Sequence, residues 1–477
     1  MVLAAERMRH TDAFLWYMED DPLLRSTILA ITLLEGTPDW EYLRARMDRA
    51  SRALPMFRQR VQPPPLRLGP PWRTPAPDFD LDYHLRRIRA PQPADWRGVL
   101  DFAQTSLMAA FDRDRPLWEF TLIEGLDGGR SAFVTKLHHC LADGIAGVQI
   151  AALVVDADAS MPAIEPLGPL LPVGLRKAGD LLAASVADNA EQAARLAART
   201  ARGAVPATLH ALRHPRTAAI DAWATGTSVA RMVQPVTDTL SPILTARSMG
   251  RRFEAVEVPM TDVRRATAQL DCTVNDVFLA ALTGGLRRYH ERHGATVTDL
   301  RMGLPLNLRH EGAFGGNHVT IVRFPVPVGD PDPARRIEVT RRTVHGWRDA
   351  PAHRMTEGIA FALNLAPRGA ICAMLKHVDF LASNVPGFDV PVYVAGSRVL
   401  AYYPFGPAFG AAVNATLMSY EGICHIGLDA DTAALPDSDV FAECVQEGFD
   451  EVFAAGAPAV KIPSQKTAGP KHQDSRR

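Results

Sequence analysis

Hydrophobic positions recur with strand-like spacing in two neighbouring runs, Pro116–Leu126 and Ser131–His139. Between them lies Asp127-Gly128-Gly129-Arg130, a turn sequence, so the pair predicts a β-hairpin. Past the second run the chain turns at Asp143-Gly144 and becomes apolar with helical spacing over Ile145–Val155. Upstream, residues 41–60 read as a helix ending in Phe57-Arg58-Gln59-Arg60, and a Pro-rich strip around Pro63, Pro64, Pro65, Pro70 and Pro71 reads as an extended loop. Downstream, Thr273-x-x-Asp276 has capping-box spacing and predicts a helix over Val274–Arg292, stopped near Gly294. Further strands are expected at 300–306, 317–326, 391–402 and 413–429, with a closing helix at 438–454.

The middle of the chain has another character. Residues 161–175 are rich in Pro, Gly and Leu and read as a linker. Residues 176–252 are Ala-rich, with eleven basic and five acidic residues, a local net of +6. Their weak apolar stripe suits a helical bridge between domains better than a membrane-docking face, although a basic surface also favours anionic headgroups. The expected division is a domain over 1–165, a helical linker over 166–252, a second domain over 253–464 and a disordered tail over 465–477.

Composition narrows the function classes. At 477 residues, 47% hydrophobic and 22% charged, the chain is globular and exceeds one ordinary domain. A net charge of -1 gives no electrostatic case for nucleic acid. Five cysteines without a C-x-x-C pair argue against a disulfide framework or structural zinc and make a reducing cytoplasm the default. Acidic residues stand where a signal peptide needs an apolar core, and no uncharged apolar run reaches the ~18 residues that span a bilayer. Membrane contact is therefore expected to be peripheral.

The candidate chemistry concentrates in Lys136-Leu137-His138-His139-Cys140-Leu141-Ala142-Asp143-Gly144. Side chains alternate along a strand, so His138 and His139 point to opposite faces and only one of them faces a given cleft. The same alternation separates Cys140 from His139, and adjacent histidines chelate one metal ion poorly. A lone oriented imidazole suits general-base catalysis, in which it takes a proton from an alcohol attacking an acyl group. Asp143 has two available roles: orienting the histidine, or anchoring the turn against a buried arginine.

His138-His139-x-x-x-Asp143-Gly144 matches the HHxxxDG signature of the CoA-dependent acyltransferase superfamily. Pro116-Leu117-Trp118, Asn275-Asp276, Ser383-Asn384-Val385-Pro386-Gly387 and Ser419-Tyr420-x-Gly422 occur in the order of further motifs of one branch. On these residues the chain resembles the bacterial bifunctional wax ester synthase/diacylglycerol acyltransferases. Phe388 departs from the proline that usually closes the fourth motif.

The resemblance implies an α/β fold of two chloramphenicol-acetyltransferase-like mixed-sheet domains, with the histidine in a tunnel between them. It implies His139 as general base, with acyl-CoA as co-substrate and no cofactor or metal. The acceptor is diacylglycerol or a long-chain alcohol, met at a membrane or lipid-body surface. A catalytically inactive lipid-binding or lipid-droplet protein of the same fold is the alternative, and a condensation-type enzyme fed by a carrier protein is another. Asp143 is expected to fix its loop, with Arg58 as the partner, and Gly144 to allow the turn. Two roles fit Asn275: steadying the oxyanion, or capping its helix. Asp276 reads as a capping residue. Pro116, Leu117 and Trp118 either pack the core or line the acyl channel, and Asn384 is the polar residue of a loop at the tunnel. His138 is placed beside the substrate, though a structural role on the opposite face fits it better. The apolar stretches 359–366 and 408–418 serve equally as channel wall or core.

Overall fold

The computed structural model describes residues 2–67, 69–165, 167–168, 171–173, 179–191, 194–195, 198, 227, 236–307, 319–348 and 376–456. The stretch 359–366, the tail 465–477 and much of 166–252 lie outside these residues. In the first half the elements that position the site are β1 (Thr27–Leu34), α1 (Trp40–Ala53), β2 (Leu85–Arg89), α2 (Trp96–Met108), β3 (Trp118–Glu124), β4 (Ser131–His138) and α3 (Gly144–Ala151). In the second half they are β5 (Arg251–Pro259), α4 (Val274–Arg292), β6 (Asp299–Asn307), β7 (Val319–Pro327), β8 (Phe380–Val385), β9 (Tyr393–Val394), β10 (Ser397–Phe405), β11 (Val413–Tyr420), β12 (Ile423–Asp431) and α5 (Ser438–Ala455).

The hairpin forms where its turn sequence places it. β3 and β4 pair antiparallel with Trp118 opposite Leu137, and Gly128 and Gly129 take positive φ in the turn between them. The expected helix over 41–60 is shorter: α1 ends at Ala53, and Pro55 opens a single 3-10 turn to Arg58. The run 413–429 is two strands, because Glu421 and Gly422 both adopt left-handed backbone, at φ 45° and 81°, and fold β11 back onto β12. Ala395 and Gly396 split 391–402 in the same way. Within the expected linker, Leu171–Val173 pairs parallel with Val2–Ala4. Beyond it, helical residues 179–191 lie against the first half through Arg7–Asp188 at 3.0 Å and Trp72–Ser185 at 3.4 Å.

Two six-stranded mixed sheets result, in the orders β9-β10-β1-β4-β3-β2 and β5-β12-β11-β8-β6-β7. The sheets do not divide at residue 253. β9 and β10 come from the second half of the chain, yet β10 is hydrogen-bonded antiparallel to β1 at the heart of the first sheet, from Val399 opposite Leu34 to Phe405 opposite Leu29. The sheets touch at this strand. Phe405 stacks on Phe253 of β5 with ring centroids 4.0 Å apart, and Arg97 of α2 donates to the Phe253 carbonyl at 2.8 Å. A methyl on Gly427 of β12 would stand 1.9 Å from the Pro404 carbonyl oxygen, so only glycine permits the crossing.

Among the described residues the second half has a large continuous core, in which the α4–α5 pair covers its sheet. Gly285 and Gly448 let those helices meet backbone to backbone; a methyl on Gly448 would lie 2.1 Å from the Ala281 carbonyl oxygen. Gly448→Ala is expected to cost about 1–3 kcal/mol as an overpacked contact with no flexible neighbour to yield. Urea unfolding of the variant, followed by circular dichroism, checks this.

Candidate active site

The site begins with the end of β4. Alternation along the strand turns Phe133, Thr135, Leu137 and His139 to one face, where all four line a cavity of about 530 Å³. His138 goes the other way and is fully buried. Its Nδ1 accepts the Cys140 N–H at 3.0 Å, and its Nε2 lies 3.3 Å from a Glu19 carboxylate oxygen. The same Glu19 oxygen accepts the Ser26 N–H at 2.9 Å. Burial alone raises the Glu19 carboxyl, but the contacts with His138, Ser26 and Arg25 hold it below the ordinary carboxylate range. The Ser26 carbonyl accepts the His139 N–H at 2.6 Å. His138, Glu19 and Ser26 thus clamp the strand end from behind, and His138 does not reach the cavity.

His139 is half-buried, with Nδ1 sealed in protein, which leaves Nε2 as the nitrogen for the cavity. Burial pulls its imidazole down to about 4, against the opposing pull of the Asp143 carboxylate. The ring is therefore neutral at pH 7 and able to accept a proton. Phe409 packs over it with ring centroids 6.1 Å apart. Phe409 is an aromatic residue held in left-handed backbone at φ 45°, and a polar chain fixes its loop: Asn414 donates to the Pro407 carbonyl at 2.8 Å, and Thr416 donates to Asn414 at 2.9 Å.

Asp143 anchors its turn, but not through Arg58. It is the N-cap of α3, accepts the Ala146 N–H at 2.9 Å and lines the cavity. Gly144 is the first residue of that helix. Arg58 is committed elsewhere: its 3-10 turn follows α1 directly, so its guanidinium falls on Asp48 and Ser51 of that helix and lies 4.3 Å over the Phe79 ring.

From the second half, α4 brings Asn275 to the same cavity. Thr273 and Asp276 complete the capping box at both ends, with the Asp276 carboxylate accepting the Thr273 N–H at 2.9 Å. The capping role thus belongs to those two residues. Among the described residues Asn275 has no hydrogen-bond partner, and its amide is available to the cavity. Ser383 and Asn384 line the same cavity from the end of strand β8, not from a loop. Gly387 follows because a methyl there would meet the Ser419 carbonyl oxygen at 1.8 Å. Phe388 packs at the edge of the first-half core.

Pro116, Leu117 and Trp118 are core and not channel wall. Leu117 and Trp118 are fully buried; the indole is stacked between His84 at 4.6 Å and Phe57 at 4.9 Å and donates to the Phe57 carbonyl at 2.9 Å. The stretch 408–418 divides, with Phe409, Asn414, Thr416 and Met418 on the cavity and Ala411, Ala412 and Val413 buried. Tyr402 also lines the cavity, and local pattern gave no reason to single it out. Thr135 was within reach, since it shares strand parity with His139. Among the described residues no cluster of His, Cys, Asp or Glu is arranged to hold a metal ion.

Residues 8–278 match the model of the wax ester synthase/diacylglycerol acyltransferase catalytic domain, and residues 315–452 match that of the C-terminal domain of the same family. The chain belongs to this family. It is an acyl-CoA-dependent acyltransferase. A putative diacylglycerol O-acyltransferase of Mycobacterium tuberculosis is 36% identical over 460 residues, covering 93% of this chain and 91% of that one. The probable diacylglycerol O-acyltransferase tgs1 of the same species is 28% identical over 451 residues, covering 89% and 90%. Among solved structures, the wax ester synthase/diacylglycerol acyltransferase of Marinobacter aquaeolei VT8 superimposes with a TM-score of 0.63 at 21% identity, covering 95% of this chain and 100% of that one. The first condensation domain of the calcium-dependent antibiotic synthetase gives 0.61 at 16% identity, covering 95% and 97%. These last two likenesses establish the two-lobed fold.

The clamp behind His138 is open to test. Glu19→Ala strips a buried partner from both the Ser26 N–H and His138, and is expected to lower stability by about 1–3 kcal/mol. Chemical denaturation measures the loss, and an unchanged midpoint would show that Glu19 carries none of it.

Proposed function

We propose that the chain esterifies diacylglycerol, and long-chain alcohols as a second acceptor, with His139 as general base. What carries this reading is a neutral imidazole set into an apolar cavity that both sheets enclose. Nε2 of His139 takes the proton as the acceptor oxygen attacks the thioester carbonyl. The C–S bond of acyl-CoA then breaks, the ester C–O bond is complete, and the imidazolium returns the proton to the CoA sulfur. The Asp143 carboxylate steadies the imidazolium while it exists. The Asn275 amide donates to the oxyanion. Because the surroundings of His139 are dry, the base is weak but wholly available at neutral pH.

The aliphatic walls suit the lipid parts of the substrates, at about 0.8 kcal/mol for each buried CH₂. The chemistry consumes acyl-CoA and needs no metal or further cofactor. Acceptor and product both partition into lipid, so the protein works from the cytoplasm as a peripheral protein at a membrane or lipid-body surface. No helix among the described residues is long and apolar enough to cross a membrane.

CoA release from palmitoyl-CoA with diacylglycerol or hexadecanol is the direct test. His139→Ala is expected to abolish turnover while circular dichroism stays native; retained activity would overturn the assignment. Asn275→Ala should lower kcat about 10²–10³-fold, the usual effect of losing one oxyanion donor. The pH profile has a definite sign. A base pulled down to about 4 is deprotonated throughout the neutral range, so kcat/KM should stay level from about pH 8 to 6 and fall only as pH drops toward 4. An acid limb centred near 6.5 would mean that the base sits in water.

A further inference from the structure

Phe409 borders two spaces. One is the cavity of His139, whose ring centroid lies 6.1 Å from its own. The other is a separate pocket of about 40 Å³, and the residues common to both linings are Pro407 and Phe409. This second pocket is polar. Asp429 and Thr27 line it, and each is 1% exposed. Asp429 accepts from Arg251 on Oδ1 at 2.7 Å, but its Oδ2 and the Thr27 hydroxyl have no hydrogen-bond partner among the described residues. Buried polar atoms without a protein partner are satisfied by water, and one water molecule needs about 10–15 Å³ of such space. Exposed Pro22 and Met249 stand at the rim, so solvent is close by. Thr27 pairs with His138 across the strands, which sets it on the face away from the cavity. Where β4 ends, the corner at 407–409 stands between this pocket and His139. The corner is an unusual one. The Ala411 N–H donates to the Ala408 carbonyl at 2.8 Å, closing a tight turn whose central residues, Phe409 and Gly410, both have positive φ. Turns of that kind favour Gly, Asn or Asp at their centre, not an aromatic residue. Arg247 pins the turn by donating from Nε to the Gly410 carbonyl at 2.7 Å. Ester formation itself uses neither the Phe409 ring nor the polar pocket.

Resting on the acyltransferase reading, we propose that the Phe409 ring is a water barrier: it divides His139 from the polar pocket and so commits the acyl group to a lipid alcohol instead of water. Without the ring, a water molecule would give a proton to His139 as its oxygen bonds to the thioester carbonyl carbon. The C–S bond would break, and the products would be a free fatty acid and, with that proton on sulfur, the CoA thiol. The same base thus serves a hydrolase or a transferase, and Phe409 decides which.

The test follows palmitate and CoA released from palmitoyl-CoA by the full chain, with no acceptor and with diacylglycerol. In the wild type, release without acceptor should be at least about tenfold slower than transfer. Phe409→Ala and Phe409→Gly should raise the acceptor-free rate itself about tenfold or more, a gain that a damaged fold cannot produce. The glycine variant takes left-handed backbone freely, so urea unfolding should find it no less stable than the alanine variant. Deuterium exchange at Cε1 of His139, read by mass spectrometry, reports water access without turnover. It should be slow in the wild type and reach the rate of a water-exposed histidine in Phe409→Gly. Wild-type hydrolysis as fast as transfer, an acceptor-free rate unchanged in the variants, or wild-type exchange as fast as that of an exposed histidine would each overturn the inference. Absence of CoA release by the wild type with both diacylglycerol and hexadecanol would instead overturn the enzymatic reading, and the exchange comparison would still decide this one.

Discussion

Two neighbouring residues of a strand cannot share an environment, and the site is organised by that rule. At the end of β4 the pleat sends one histidine backward and its neighbour forward. The backward ring, with Glu19 and the Ser26 backbone, is fully buried and bonded, so it fixes where the strand stops. The forward ring inherits that rigidity and stands in the cavity without a locking partner of its own. One copy of the side chain holds position and the other is left chemically available. The doubled histidine is thus a division of labour and not redundancy.

The forward ring needs a second wall, and the other half of the chain supplies it. Asn275 arrives at the start of α4 only because Thr273 and Asp276 satisfy the helix end between themselves. Asn384 arrives from β8, held close to β11 by a glycine that no other residue can replace. Neither half encloses the cavity alone, which accounts for a chain of this length around one reactive centre.

Local patterns revealed local things. The β3–β4 hairpin, the capping box and the opposite facing of His138 and His139 follow from turn residues, side-chain reach and the two-residue period, all written within a dozen positions. What spacing cannot encode is partnership across hundreds of residues. The resemblance asks for an arginine against Asp143 and Arg58 is the candidate, whereas the turn at Pro55 delivers it to Asp48, ten positions away. Trp118 sits in a motif two strand lengths before the histidines, and only the stacked rings of His84 and Phe57 show that it is core. Ser383 and Asn384, read as loop, are strand because β8 fits between β6 and β11, both drawn from distant sequence. Tyr402 gained its place from β10, whose departure to the other sheet leaves no trace in its own hydropathy.

That departure also sets an order of events during synthesis. β1 leaves the ribosome long before Ser397–Phe405, its neighbour on one side. Until those residues emerge, the row of amide and carbonyl groups along Thr27–Leu34 has no native cover and is open to any passing strand. The seam thus stays half-zipped until about 360 further residues have been added.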